Sequence, residues 1–371
     1  MDTLTHALSG ALLARALVAR GAPGVESPAA PAWMARLGPA PRPWQAVVVG
    51  LVAGAFPDID SITESLGAFV YLQHHRGLTH SLVLAPLWGL LLAWLLGRCF
   101  AQTRRPGAWW GLLPFALGGV LIHIAGDWIT QFGTMLLMPL SDERFGLGAL
   151  FIIDLTFSGL LVAGLALSIV LPRARWPAGA ALVAASAWVG VAWVGRQEAL
   201  DAGAQFARAQ GVSAQRIEAM PRPVSPFNWT VAVDDGERYH VAHLNTRRQA
   251  PLQAQPGDSF LRRFSAPYQP VDQATWTVVP RFGDAQTPPW VRDAWAHPEL
   301  AVYRWFAAAP ALAHVATPAG EGGSTERCAV FRDLRFEFPG RGEPPFRYGV
   351  CLREDGSGRA VTWRDGRVEP I

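Results

Sequence analysis

Lysine is missing from the chain, so all 32 basic residues are arginines, a usage that suggests GC-rich coding more than function. Charge as a whole is scarce. Charged residues make up 16% of the sequence, and 32 basic against 29 acidic side chains leave a net charge of +3, too even and too dispersed for a nucleic-acid-binding surface. Only three cysteines occur, at positions 99, 328 and 351 and without CxxC spacing, which excludes a zinc knuckle and gives no disulfide framework. A cleaved signal peptide is not evident: Asp2 stands where a basic region belongs, and His6 and Arg15 break the first apolar stretch. What remains is apolar. Half of the 371 residues are hydrophobic and the mean hydropathy is +0.18, which implies a membrane protein entering the bilayer by its own helices.

A helix needs about 20 apolar residues to cross a hydrocarbon core. Five or six segments come near that length. Leu4–Ala19 is the weakest; a Pro- and Arg-containing linker from Gly21 to Pro43 follows, and Trp44–Phe56 runs into Pro57-Asp58-Ile59-Asp60. Ser81–Phe100, Trp109–Gln131, Gly148–Leu171 and Trp176–Val194 read as clear spans. Cytoplasmic loops collect positive charge, so Arg98, Arg104 and Arg105, Arg173 and Arg175, and the linker with Arg20, Arg36 and Arg42 are expected inside. The loop with Asp142-Glu143-Arg144, and everything after Val194, is then expected outside.

From Gly195 the apolar runs shorten and Pro, Arg, Asp and Trp become frequent, so a mostly antiparallel β domain is expected over 196–371 after a membrane domain over 1–195. Glu198–Gln210 reads as a short helix, Trp229–Val233 and Glu237–Leu244 as a hairpin across Asp234-Asp235-Gly236, and Cys328–Phe338 as a strand pairing with Phe346–Arg353. A Cys328–Cys351 disulfide suits an extracytoplasmic domain. Strict pairing of the apolar faces argues against it, because Cys351 then sides with Arg347 and Arg353, opposite Cys328, and only a bulge restores the bond.

Polar clusters interrupt the apolar runs: Asp2 to His6, Asp58 and Asp60, His74-His75-Arg76-Gly77-Leu78-Thr79-His80-Ser81, His123 with Asp127, and Asp154. A polar group inside a bilayer must be paired, protonated or coordinated. With the helices oriented as above, all of these clusters fall at one membrane level, the outer one. Scattered structural polar residues would rarely do so. His123 and Asp127, four apart, share one helix face and can bind one cation together. Imidazoles and carboxylates without thiolates form the ligand type of Zn, Mn or Fe sites. Taken singly, His123 reads as an interhelical hydrogen bonder, Asp58 and Asp60 as a helix end, and Asp154 as either a structural pair or a ligand. His74 reads as a solvated neighbour, and His240, His243, His297 and His314 as scattered core or surface residues. Arg76, beside the cluster, is suited to hold an oxyanion.

The order Asp-x-x-Thr-His at the N-terminus, Pro-Asp-Ile-Asp, His-Arg-x-x-Thr-His-Ser and His-x-x-x-Asp with Thr130, Gly133 and Pro139 behind it resembles the membrane-bound metal-dependent hydrolases. Some members are described as LexA-regulated inner-membrane hydrolases. The likeness covers approximately the first 160 residues, and more loosely a long form with a C-terminal soluble region. It marks His6, Asp58, Asp60, His75, Arg76, His80, His123 and Asp127, and implies metal dependence, hydrolysis and a bacterial inner-membrane location. On this reading one or two divalent ions are held by His6, Asp58, His80, His123 and Asp127. Asp60 or His75 serves as general base or further ligand, Arg76 steadies negative charge, and a metal-activated water attacks an ester of a lipid or envelope precursor. The rival readings are a metal transporter or sensor, and an envelope protein in which the metal is only a structural staple. The expected partners are the bilayer and a lipid-linked substrate, with no nucleic acid.

Overall fold

The computed structural model describes residues 1–18, 41–100, 103–104, 106–317, 326–340 and 342–371; the linker expected from Gly21 to Pro43 lies mostly outside them. The described chain is helical in its first half and β-rich in its second, as expected. It divides into two compact units, one of Met1–Ile62, His74–Val194 and Pro223–Pro226, the other of Thr63–Gln73, Gly195–Arg222 and Phe227–Ile371.

In the first unit, α1 (Thr3–Leu17) begins where the Asp2 side chain accepts from the Thr5 backbone N–H at 3.0 Å, satisfying one of the free N–H groups of the first turn. α2 (Pro43–Ala55) starts on a proline and continues as a 3-10 segment, Phe56–Leu66, which carries Asp58 and Asp60. After α3 (Ala68–His74), which belongs to the second unit as far as Gln73, the chain turns through Arg76 and Gly77 into α4 (Ala85–Cys99). α5 (Leu113–Trp128), α6 (Leu155–Val170) and α7 (Trp176–Gln210) complete the helical set.

Among the described residues, the number of long spans is lower than the apolar runs imply. By length and composition, Pro43–Leu66, Ala108–Trp128 and Trp176–Gln210 can cross a membrane, with Ala68–His80 plus Ala85–Cys99 as a bent fourth. The expected span Gly148–Leu171 is helical only over 16 residues, because its first residues form extended bonds instead: Ala149 N–H donates to Ile129 O at 2.9 Å and Leu150 bridges Thr130. Asp154 is the N-cap of α6, accepting from Phe157 N–H at 2.7 Å and from Trp188 Nε1 at 3.0 Å, so its role is structural. Glu198–Gln210 is no separate helix but the continuation of α7.

Helices α1 and α2 approach each other through glycines. A Cβ added at Gly10 would stand 2.1 Å from Gly50 O, and one at Gly54 would stand 2.6 Å from His6 O. Small residues allow such backbone contact between membrane helices. Arg15 is buried at the other end of α1, where its guanidinium donates to the carbonyls of Pro172 at 2.9 Å and Ala174 at 2.8 Å, just past α6. Those carbonyls follow a helix C-terminus, where acceptors outnumber donors; the arginine is thereby satisfied inside an apolar environment.

The second unit holds two five-stranded sheets. In the first, β1 (Arg216–Pro221), β2 (Asn228–Asp234) and β3 (Arg238–Asn245) form an antiparallel meander, with β4 (Gln269–Pro270) parallel and β5 (Thr277–Pro280) antiparallel to β3. The expected hairpin turns at Gly236, whose φ of +99° suits glycine. Ala199 and Ala202 of α7 pack against Trp229, Val231 and Leu244 of this sheet. The second sheet runs in the order β10-β9-β8-β7-β6, from β6 (Pro310–Ala316), β7 (Arg327–Asp333), β8 (Tyr348–Leu352), β9 (Gly358–Arg364) and β10 (Arg367–Pro370). The expected strand Cys328–Phe338 ends at Asp333, where the carboxylate accepts from Arg335 N–H at 3.0 Å and draws Leu334–Phe336 into a 3-10 turn.

Contrary to the face argument, Cys328 and Cys351 are bonded, and they stand directly opposite each other in the β7–β8 register. The argument failed because both strands are enclosed: all five residues of β8 and Cys328–Phe331 of β7 are buried, so side-chain polarity does not mark a face. Thiol titration of the unfolded, unreduced protein is accordingly expected to find one free thiol, Cys99, rising to three after reduction. Three before reduction would refute the pairing.

Candidate metal centre

Three segments of the helical unit, Phe56–Leu66, Leu78–His80 and α5, bring polar residues to one point. Oδ1 or Oδ2 of Asp58 and Asp127 and the Nε2 atoms of His80 and His123 form a group whose ligand atoms all lie within 4.8 Å of one another. His80, His123 and Asp127 are fully buried, while Asp58 keeps 11% of its side chain exposed.

The outer partners bear on which nitrogen of each ring is basic. His123 Nδ1 lies 2.7 Å from Gly54 O, and a carbonyl can only accept, so Nδ1 carries the hydrogen and Nε2 the lone pair. His80 Nδ1 lies 3.1 Å from Asp60 Oδ2, an acceptor for a hydrogen on Nδ1 when Nε2 serves as a ligand. The two Nε2 atoms stand 2.9 Å apart, with Asp127 Oδ2 at 3.0 Å from that of His80 and 3.5 Å from that of His123. Asp58 Oδ1 lies 3.8 and 3.6 Å from the same two nitrogens. Four electron-rich atoms thus share one point. Asp127 Oδ2 is buried without a hydrogen-bond donor. A proton on one nitrogen would relieve one pair of lone pairs; a divalent cation relieves all four, and a donor set of two imidazoles and two carboxylates fits Zn, Mn or Fe. The residues therefore fit a metal.

Asp60 works from outside this group. Oδ1 bonds His75 Nδ1 at 2.8 Å, while Oδ2 accepts from the Arg76 backbone N–H at 2.9 Å and from Thr79 Oγ1 at 2.9 Å. One carboxylate thereby orients two imidazoles, His75 and His80, as outer partners of metal ligands commonly do. His6 also stands beside the ligands: it stacks on His123 with ring centroids 3.7 Å apart, and its Nε2 lies 3.0 Å from Asp127 Oδ1. That same oxygen pairs with the Met1 amino group and with Arg76 Nη2, the latter at 2.9 Å.

Arg76, expected to face an oxyanion, is 2% exposed and turned onto protein groups. Besides Asp127, its Nη1 donates to Thr130 Oγ1 at 2.9 Å. Its backbone takes the left-handed conformation, φ +61°, with N–H on Asp60 and the carbonyl accepting from Met135 N–H at 2.9 Å. Gly77 follows because a Cβ there would stand 2.7 Å from His74 O. All eight expected residues therefore meet in one cluster, four as converging ligand atoms and four around them. His74 stays outside the group of converging ligand atoms, and His240, His243 and His314 lie apart in the other unit. Partial burial pushes the half-buried His243 down to about 4, and it is bonded to Thr230 Oγ1 at 2.9 Å.

Two contributors escaped the sequence reading. Thr3 Oγ1 donates to Asp58 Oδ2 at 2.6 Å, and Arg144 Nη2 donates to His75 O at 3.0 Å. Arg144 had only a loop charge to mark it, but Thr3 carried a signal, lying three residues before His6 in the same motif.

Among known proteins, the model of the YdjM inner membrane protein family matches residues 1–199, more than half of the chain. The Bacillus subtilis (strain 168) protein YfhP, which bears no assigned function, is 29% identical over 150 residues. That stretch is 40% of this chain and 40% of the relative, so the chain spans less than half the length of the relative it matches. No solved structure gives a significant match.

Proposed function

We propose that this chain, which belongs to the YdjM inner membrane protein family, is a metal-dependent hydrolase acting on an ester of a membrane-presented substrate. The observation that carries the reading is the convergence of Asp58, His80, His123 and Asp127 on one point beside the Asp60–His75 pair. Asp58, His80, His123 and Asp127 would hold the ion. Once bound, a divalent cation supplies Lewis acidity and water that ionises near neutral pH.

The chain's own residues account for the rest. Asp60 holds the hydrogen of His75 on Nδ1, leaving Nε2 as the basic nitrogen, suited to take a proton from an attacking nucleophile and return it to a leaving group. His75 and Asp58 keep 11% of their side chains exposed and Asp60 9%, against none for His80, His123 and Asp127, so substrate reaches the centre on that side. Arg76 positions Asp127 and, through its own backbone N–H, Asp60. His6 supports the His123 ring by stacking.

The test compares the metal-loaded protein with His75→Ala on phosphomonoester, phosphodiester and acyl ester lipids of short chain length. His75→Ala is expected to keep its metal and to lose roughly 100-fold or more in kcat, the usual contribution of a general base. A metal-loaded wild type that turns over none of the three ester classes, or a variant as fast as wild type, would refute the assignment.

A further inference from the structure

The β-rich unit contains a cleft lined by none of the residues of the candidate metal centre. It has a volume of about 480 Å³ and lies between the turn bearing Glu64 and Tyr71 and the adjoining ends of β8 and β9, within the size range of small-molecule sites. Arg347, Arg364, Trp363, Tyr71 and Tyr348 line it, with Glu64 as its single acid. Glu343 pairs with Arg347 from outside the lining, so Arg364 supplies the positive charge open to an anion, with Arg347 beside it.

The lining is held in place. Trp363 stacks on His314 with centroids 4.0 Å apart, and its Nε1 donates to Glu343 Oε1 at 3.0 Å. Arg347 is 10% exposed and braced by an ion pair with Glu343. Burial, with Glu64 adding to it, pushes the Tyr348 phenol up to about 12, so it stays protonated and able to donate. Phe346, also in the wall, has φ +58°, a region unfavourable to a bulky residue and one that recurs at ligand clamps. Its carbonyl accepts from Tyr303 Oη at 2.8 Å, which locks that conformation.

Chain connectivity supplies the second argument. Glu64 ends the apolar run Pro43–Leu66, and Ala68 and Tyr71 begin the bent pair Ala68–His80 plus Ala85–Cys99, both of membrane-crossing character. These residues therefore lie within a few positions of the ends of two candidate spans.

We propose that this cleft binds the phosphate-bearing head of an anionic membrane lipid, its phosphate between Arg347 and Arg364 and its glycerol or sugar part against Trp363 and Tyr71. Arginine matches phosphate oxygens in fork geometry, and flat aromatic faces cover the apolar side of a polyol. The site stands whether or not the helical unit hydrolyses anything, since it uses no residue of the metal centre.

Calorimetric titration of the full chain in detergent tests it, with dihexanoyl phosphatidic acid, dihexanoyl phosphatidylcholine and inorganic phosphate as three separate probes. Saturable binding of phosphatidic acid is expected, at least about tenfold weaker in Arg364→Glu and kept in Arg364→Lys, the worth of one charge-assisted bond. Arg364 is exposed at the end of β9, so both variants should fold, and their metal content should equal that of wild type. Equal binding of the choline lipid, equal binding of phosphate alone, no saturable binding, or an unaffected Arg364→Glu would each overturn the proposal.

Discussion

Asp127→Asn is expected to empty the candidate metal centre: elemental analysis should find about one equivalent of a divalent cation in the purified full chain, the stoichiometry of a four-ligand site, and little in the variant. The change is nearly isosteric, but it replaces a charged acceptor with an amide. Oδ2 of Asp127, buried and without a donor, is the atom aimed at His80 and His123, and an NH2 group there would point a hydrogen at the cation's place. Removal of the ion has its own signature. A ligand at 100 times its Kd stabilises the folded state by about 2.7 kcal/mol, so a chelator should lower the melting temperature of wild type and leave that of Asp127→Asn where it is. Asp127→Ala is a poorer probe, because it also strands the buried Arg76, and breaking a buried ion pair from one side costs about 3–5 kcal/mol. Equal metal in Asp127→Asn and wild type would remove the basis for the ligand assignment.

Gly10→Val should be the most damaging single substitution outside the ligands. The first atom of any side chain at that position falls 2.1 Å from Gly50 O and 3.1 Å from Gly54 Cα, both backbone atoms, which cannot swing aside as a flexible side chain can. Relief requires α1 and α2 to separate. His6 lies one turn from Gly10 on the same face of α1, and Gly54 O anchors the His123 ring, so separation also disperses the site. A loss of about 3 kcal/mol or more is expected, the upper range for overpacking, together with loss of metal and of a monodisperse peak in detergent. Gly179→Ala is the control, since a Cβ there meets nothing within 4 Å. If the two variants elute and bind metal alike, the helix contact is not as described.

How far the sequence could be read depends on the kind of signal. The converging residues were legible because an ionisable residue in an apolar run is conspicuous, and because helical spacing joins His123 to Asp127. Their division of labour was not. His6 and Asp58 look alike as motif members, and only packing sends one to stack on His123 and the other to the point of convergence. The Gly10, Gly50 and Gly54 contact left no trace in hydropathy, since glycine is silent on that scale. Helix limits failed where apolar residues serve extended structure, as at Ala149 and Leu150. In the β-rich unit the hairpin was readable from Asp234-Asp235-Gly236. The disulfide was misjudged because alternation has meaning only for a strand with one wet face.

The segment Thr63–Gln73 belongs to the β-rich unit, where Phe69 sets its ring against Tyr348 with centroids 5.4 Å apart. The family match ends at residue 199, close to the break between Val194 and Gly195, yet the β-rich unit also takes in Thr63–Gln73. A chain shortened after that residue would be left with the Phe69 face uncovered and with the piece of backbone between Asp60 and His75 deprived of its support. The C-terminal region thus shares its compact unit with a segment that lies between two motifs of the helical half. Gain or loss of that region in relatives should therefore be accompanied by change in the stretch between the PDID and HRxxTHS motifs.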